Sequence, residues 1–443
     1  MKLRVNNNTN VLRKCLILGK TMSLTGILIA QSTDALLDKL VEKGVITREE
    51  AIQLQKEQSK KSMEIKNKLQ LPDWVQSLRI SGDFGVRGDY ITVDAPNTVD
   101  RFRPRYRFRI GTSVNLLDNM STELRLASGE SDRSPLASGY TTFQDNAAKK
   151  YVWIDRAYWS WTPIKTSELT GTLTVGKMVN PYDFTWVVFD PDYTPEGLAW
   201  TLSWRPVTNH VISITPGAFM IDELPTSSHD PYMASVQLKW ASTWSTNLIT
   251  EVKGAVFGLA NCENLDNGAV PNVGVGNTRT AAGQLVYNFN PIVVGAGITY
   301  LIDGISLYPG RLPVSLSGEI IHNPAAPSNN TGWDAGITIG TLSKKGSWAL
   351  EYRYVYVESD AWYEEFSNDD SLAYYSIPIP SSGKGVGSYS GTNKRGHYIA
   401  ASYAFTSSLS IGTRAYIHDL IDVPTGAINP TTYHVQVDLM VKF

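Results

Sequence analysis

Arginine stands at every second position from Arg101 to Arg109: Arg101, Arg103, Arg105, Arg107 and Arg109. A guanidinium stays charged at physiological pH and offers a planar fork of donors that fits carboxylate or phosphate. In an extended chain alternate side chains share a face, so the five arginines would form one row about 6.8 Å apart. Such a row repels itself and calls for anions, either carboxylates of the same chain or an anionic solute. Arg79, Arg87 and Arg125 fall where neighbouring strands could widen the row. The segment 179–197 is the acidic counterpart, with Asp183, Asp190, Asp192 and Glu196, and Pro181, Pro191 and Pro195 to stiffen it. Asp83, Asp89 and Glu123 are alternative partners on the polar faces of adjacent strands.

Signals for catalysis are weak. The histidines, at 210, 229, 322, 397, 418 and 434, show no ligand spacing, and there is neither a Gly-x-Ser-x-Gly elbow nor a phosphate-cradling glycine loop. Asp190, Asp192 and Glu196 are hard donors that suit calcium, as are Asp360, Asp369 and Asp370, but neither set has the EF-hand spacing. The expectation is no catalytic residue, no metal and no cofactor. Two cysteines, Cys15 and Cys262, exclude a disulfide framework. A net charge of −2 argues against a nucleic-acid partner.

The elements that must hold these charges change along the chain. Residues 1–30 read as an export signal: Lys2, Arg4, Arg13 and Lys14 precede an apolar run, interrupted by Lys20, that ends at Ala30. Residues 31–73 read as a helical, periplasmic segment with a coiled-coil handle as one use. Leu36, Leu37, Leu40 and Val41 fall on one helix face, Gly44 suits a C-cap, and Thr47-Arg48-Glu49-Glu50 has the form of a capping box before a second helix ended by Pro72.

From residue 74 to 443 the period becomes 2. Leu78, Ile80, Phe84, Val86 and Tyr90 alternate with Arg79, Ser81, Asp83, Arg87 and Asp89. Segments of this kind recur to the C-terminus, many about 10 residues long, the length of a tilted strand that crosses a bilayer. Short turns, as at 117–119, 206–209, 290–291, 343–346 and 406–407, alternate with long polar loops at 130–149, 179–197, 261–278, 358–395 and 419–431. The pattern predicts a closed antiparallel transmembrane β-barrel. Seventeen segments fit it, and bacterial barrels use even numbers, so 16 or 18 strands are expected, with one strand missed or falsely assigned between 290 and 332. Tyr158, Trp159, Trp161, Trp200, Trp204, Trp240, Trp244, Tyr398, Tyr403 and Phe405 are candidates for interfacial girdles. The last segment carries Tyr433, Val435, Val437, Leu439, Val441 and the terminal Phe443 on one face.

That ending is similar to the assembly signal of bacterial outer-membrane barrels, with Tyr433 and Phe443 as its aromatic positions. Further stretches resemble the putative porin family: Arg101–Gly111, Glu123–Gly129, Gly176–Tyr182 with Phe189–Ala199, and later Glu358–Ala361, Asn368–Ser371 and Thr392–His397. The resemblance runs over most of 78–443 and implies a passive diffusion barrel in the outer membrane. Its expected partners are membrane lipids, the barrel assembly machinery, small hydrophilic solutes and a homo-oligomer such as a trimer. The arginine row adds a mild anion preference, and 179–197 becomes the candidate constriction loop. Two other readings stand beside this one: a structural barrel tethering the cell wall or a periplasmic partner, and a secreted β-protein that binds carbohydrate through its aromatics.

Overall fold

In the computed structural model the described residues are 47–53, 71–95, 98–130, 139–265, 274–375, 387–423 and 425–443. Contacts divide the chain into two units, Met1–Ile80 with Thr112–Leu117, and Ser81–Gly111 with Asp118–Phe443.

In the first unit, residues 48–53 are helical. The Thr47 N–H donates to a Glu50 carboxylate oxygen at 2.8 Å and the Glu50 N–H to the Thr47 hydroxyl at 3.1 Å, the reciprocal bonds of a capping box. The expected helices over 34–46 and 54–69 lie outside the described residues. The Leu117 N–H donates to the Trp74 carbonyl at 2.9 Å, and the Asn115 amide to the Ser77 hydroxyl at 2.8 Å. Arg79 belongs to this unit and is exposed.

Strands dominate the rest. In chain order they are β1 (Val75–Val93), β2 (Arg101–Leu116), β3 (Met120–Gly129), β4 (Tyr140–Thr142), β5 (Tyr151–Lys165), β6 (Leu169–Lys177), β7 (Glu196–Val207), β8 (His210–Met220), β9 (Tyr232–Thr243) and β10 (Leu248–Ala260). They continue with β11 (Ile292–Ile302), β12 (Leu312–His322), β13 (Thr331–Gly340), β14 (Trp348–Val357), β15 (Ala373–Tyr375), β16 (Gly387–Tyr389), β17 (Lys394–Ala404), β18 (Leu409–Leu420) and β19 (Thr432–Lys442). Sixteen of them form a closed antiparallel barrel, in which β1 pairs with β19 from Asp83 opposite Lys442 to Val93 opposite Thr432. The three-residue β4 continues the wall beside β2, and β15 pairs only with β16.

Period-2 alternation becomes a two-faced wall. On β19 Tyr433, Val437, Leu439, Val441 and Phe443 are exposed, while His434, Gln436 and Asp438 are buried inward. On β2 Phe102, Phe108 and Ile110 face out and Arg107 faces in. Outward charge is disfavoured because one Arg at the bilayer midplane of a barrel costs about 2–4 kcal/mol. Asp118 and Asn119 take φ of 58° and 56°, the left-handed pair that a two-residue hairpin turn requires.

One expected strand is absent from the wall. Residues 279–289 make a single bridge, Arg279 opposite Leu285, around Gly283 at φ 84°. The alternation there is real, but it serves a bent inward segment: Arg279 is buried on Glu364, and Leu285 and Phe289 join the interior core. The expected tight turn at 290–291 is therefore the end of one long connection between β10 and β11. Two girdle candidates also point the other way. The Tyr158 hydroxyl bonds Glu123 inside, and Tyr398 is buried against Trp186 and Tyr416.

The hydrophobic core lies inside the barrel, where loops pack on inward residues of β7 to β12 and β14. Thr185, between β6 and β7, donates its N–H to both carboxylate oxygens of Glu319 on β12 (3.0 and 2.9 Å) and its hydroxyl to Asp334 on β13 at 2.9 Å. Segment 178–195 therefore crosses the interior. It is stitched to the β14–β15 connection by Asp190 N–H to the Phe366 carbonyl (2.8 Å), Asn368 N–H to the Trp186 carbonyl (3.2 Å) and the Ser367 hydroxyl to the Val187 carbonyl (3.1 Å). The Phe189 ring centroid sits 5.3–5.9 Å from those of Tyr182, Tyr193, Phe257, Trp362 and Phe366.

Candidate solute passage

The arginine row is held by the strand before it. Asp83 and Asp89 on β1 face inward, six residues apart, and each meets two arginines of β2. Asp89 takes Arg103 at 2.5 Å and Arg105 at 3.6 Å, and Asp83 takes Arg107 at 3.0 Å and Arg109 at 2.8 Å. Arg105 also donates to the Tyr140 carbonyl at 2.9 Å. Arg101, at the loop end of β2, is exposed.

Carboxylates from distant segments complete the compensation. Arg87 makes a forked pair with Asp438 on β19, 2.7 and 3.1 Å, lies 3.6 Å from Asp370 and carries the Tyr140 ring 4.0 Å from its guanidinium carbon. Arg414 reaches the same Asp438 at 2.8 Å. Asp192 accepts from Arg109 at 3.1 Å. These pairs remove the repulsion that the row would suffer alone and fix the guanidiniums against the wall.

A β-bulge supplies a second charged group on the neighbouring strands. Arg125 on β3 faces Arg156 on β5, whereas Leu126 faces Ile154, so Asp155 is an extra residue. A bulge lets two consecutive side chains point one way. Asp155 contacts Arg125, Arg156 pairs with Glu123 at 3.3 Å, and Tyr158 donates to the other Glu123 oxygen at 2.8 Å. All of these side chains remain partly accessible to water.

The interior loops carry three carboxyls with raised pKa, Asp190, Asp360 and Asp369. Burial first, then Asp192 and Asp369, hold the Asp190 carboxyl well above the usual carboxylate range, and Asn368 donates to it at 2.9 Å. Asp369 is pushed up to about 7 by burial and then by Asp370, with Arg105 and Lys394 opposing. Among the described residues no group of carboxylate, histidine and cysteine side chains has the arrangement of a metal site.

A family model described as "Putative porin" matches residues 90–270 and 315–443. The chain belongs to the putative porin family. No curated protein matches its sequence at a significant level. Among solved structures this porin is similar to Pseudomonas putida OprB, with 11% identity, a TM-score of 0.53, and coverage of 85% of this chain and 96% of that one. Salmonella typhi OmpF follows at 9% identity and a TM-score of 0.45, covering 83% and 98%. A Rhodopseudomonas blastica porin variant stands at 9% and 0.40, covering 83% and 100%. At these identities the likeness to OprB speaks to the fold alone.

Within the porin, the acidic residues of 179–197 divide. Asp183 contacts Lys239 on β9 and lies 3.7 Å from Lys253 on β10, Asp190 joins the two interior loops, and Asp192 reaches the arginine row. Glu196 opens β7 and pairs with Lys177 at 3.0 Å, so the loop itself ends at Pro195. Glu123 and Arg125 belong to the bulge group on β3 and β5, next to β2 in the wall. Sequence reasoning missed Asp438, Asp370 and Tyr140 as partners of the row, and the Lys253–Glu319 and Arg353–Asp334 pairs that anchor Thr185. Only the inward position of Asp438 was visible beforehand, from the alternation of β19.

Proposed function

We propose that this chain is an outer-membrane porin whose lumen passes small hydrophilic solutes by passive diffusion, with at most a mild preference for anions. The observation that carries it is a closed wall with an apolar outer face, a polar inner face and long loops turned inward, which is the architecture of a water-filled pore. Arg101, Arg103, Arg105, Arg109 and Arg125 line the path in this reading, with Arg107 behind them, and Asp183 and Asp192 narrow it; Arg87 and Asp190 are buried and hold the wall and the loops instead. Because Asp83, Asp89 and Asp192 sit on the arginines, a cation meets carboxylates beside every positive group, and charge selection is weak.

Single-channel recording of the purified protein in a planar bilayer is the test. Stepwise currents in potassium chloride support the reading, and an insulating protein supports the tethering alternative. The same proposal includes a cleaved leader over 1–30, a dispensable periplasmic segment over 31–73, insertion by the barrel assembly machinery through the Tyr433–Phe443 strand, and a homo-oligomer, of which a trimer is the expected form. A chain that begins at Trp74 should still insert and conduct. Failure to fold would move the helical segment into the barrel.

A further inference from the structure

Outer-membrane barrels close their periplasmic end with short turns. At that end 117–119, 166–168, 208–209, 244–247 and 405–408 are short. Two neighbouring connections are longer, 303–311 between β11 and β12 and 341–347 between β13 and β14. They are built onto one another. The Tyr308 hydroxyl donates to the Thr341 carbonyl at 2.9 Å and accepts from the Thr341 N–H at 3.1 Å. The Trp348 indole donates to the Leu307 carbonyl at 3.0 Å, and its ring meets that of Tyr308 edge-on at 5.7 Å. The Ser347 hydroxyl accepts from the Ser343 and Lys344 N–H groups, at 2.9 and 3.2 Å. This packing buries Tyr308, yet Leu307 beside it is 82% exposed.

The apolar outer face of the wall runs into these turns. Trp348 alternates with the exposed Leu350 and Tyr352 of β14 and stands opposite Tyr403, whose ring meets Phe405 at 5.2 Å. Leu307 and the exposed Leu342 adjoin that surface. Three cations lie among them. Lys344 holds its ammonium 3.7 Å from where a Cβ on Gly310 would stand, Lys345 is exposed, and Arg311 donates to the Thr246 carbonyl. Asp303 is the one acid of the two turns, and the Asn247 amide donates to it at 3.2 Å. Among the described residues no carboxylate pairs with any of the three cations.

We infer that the two turns form a docking site for an anionic phospholipid of the periplasmic leaflet. Exposed leucines, an indole and unpaired cations at the end of an apolar wall meet in one place the acyl chain, the glycerol region and the phosphate of such a lipid. Lysine and arginine give the phosphodiester charge-assisted hydrogen bonds. Continuity with the lipid-facing wall selects a membrane lipid over a periplasmic protein. The inference rests on the outer-membrane reading only for the leaflet to which the lipid belongs.

The test is native mass spectrometry of the full-length protein in a non-ionic detergent, titrated with phosphatidylglycerol or with phosphatidylcholine of the same chains. The wild type should retain phosphatidylglycerol preferentially. Lys344→Ser with Lys345→Ser should weaken its binding about 25-fold, roughly 5-fold for each cation, and leave phosphatidylcholine as it was. Leu307→Ser should weaken both lipids. Lys165→Ser with Arg205→Ser removes two exposed cations at the same end of the barrel and should leave the preference unchanged. Glycerol phosphate, a headgroup without chains, should not displace the lipid. Equal retention of the two lipids by the wild type, or an unchanged preference in the double lysine variant, overturns the inference. Displacement by glycerol phosphate overturns it in favour of a soluble anion, and loss of an oligomer in place of lipid makes the turns a contact between copies. The variants should conduct as the wild type does in a planar bilayer. Absence of current from the wild type would overturn the porin reading and leave the lipid preference standing.

Discussion

Phe443 and Gly82 close the barrel together. The Gly82 N–H donates to the Phe443 carbonyl at 2.9 Å, the Phe443 N–H returns to the Gly82 carbonyl at 3.0 Å, and the phenyl ring lies only 2.6 Å from where a Cβ on Gly82 would stand. The terminal aromatic is thus a wall residue whose ring uses the space that glycine leaves, and it stacks on Phe108 at 6.3 Å. Phe443→Asp puts a charge on the lipid face beside a seam whose unpaired backbone groups cost several kcal/mol each in hydrocarbon. It should leave protein unassembled in the periplasm. Gly82→Ala should also impair assembly, because its Cβ would stand 2.3 Å from the Arg109 carbonyl oxygen, a backbone atom that cannot swing aside as the ring can. Heat-modifiable migration of outer-membrane fractions measures both, and a Phe443→Asp variant present at normal levels would refute the role.

Charge selection can be read from the zero-current potential in a salt gradient. The wild type should lie close to zero, leaning towards anions. Arg105→Glu with Arg107→Glu faces the same direction twice and swings the local charge by about four units. It also sets glutamates against Asp83 and Asp89, so correct folding must be verified by heat modifiability. The potential should move towards cations. No movement in a folded double variant would take the row out of the permeation path.

The interior loops depend on one buried ion pair. Arg279 donates twice to Glu364, at 2.8 and 2.5 Å, and once each to the Leu265 and Gly283 carbonyls at 2.7 Å. Removing one partner strands a buried charge, typically at about 3–5 kcal/mol, whereas replacing both is far gentler. Glu364→Met alone should loosen the loops, seen as faster proteolysis within 358–393 and larger, noisier currents. Arg279→Met with Glu364→Met should recover much of the loss. Equal behaviour of the single and double variants would mean that the pair is not what holds the loop core.

Acidity should tighten the same loops. Asp369 titrates near 7 in place and near 3.8 when released. Between those values the released loop has given up its proton and the docked loop has kept it, so stability of docking falls as pH rises through the window. Asp190, also raised, acts in the same direction. Conductance should therefore increase from pH 5 to pH 8, and Asp369→Asn should flatten the slope. A variant that keeps the wild-type slope would assign the effect to another group.

The wall was legible because its code is local. Period 2 on β1, β2 and β19 gives each residue its face without reference to any partner, so the inward position of Arg107 and the outward position of Phe108 follow from neighbouring letters. The loop core was not legible, because its contacts join segments with no shared pattern: Thr185 with Glu319, Arg279 with Glu364, Asp190 with Asn368. The stretch 279–289 alternates like a strand yet bends at Gly283, and only the buried Glu364 explains where it goes. Tyr158 was misplaced for another reason: proximity groups it with Trp159 and Trp161, although adjacent residues of a strand face opposite ways.

The Arg87–Asp438 pair spans 351 positions of the chain. The carboxylate that neutralises this arginine therefore comes from β19, and Asp370, its other neighbour, from the β14–β15 connection. A partial chain presents Arg87 and the β2 row with Asp83 and Asp89 alone, a hairpin with surplus positive charge that hydrocarbon rejects. Electrostatics thus ties the closure of the wall to the pairing of segments far apart in sequence: Arg87 meets its carboxylate only where β1 has met β19.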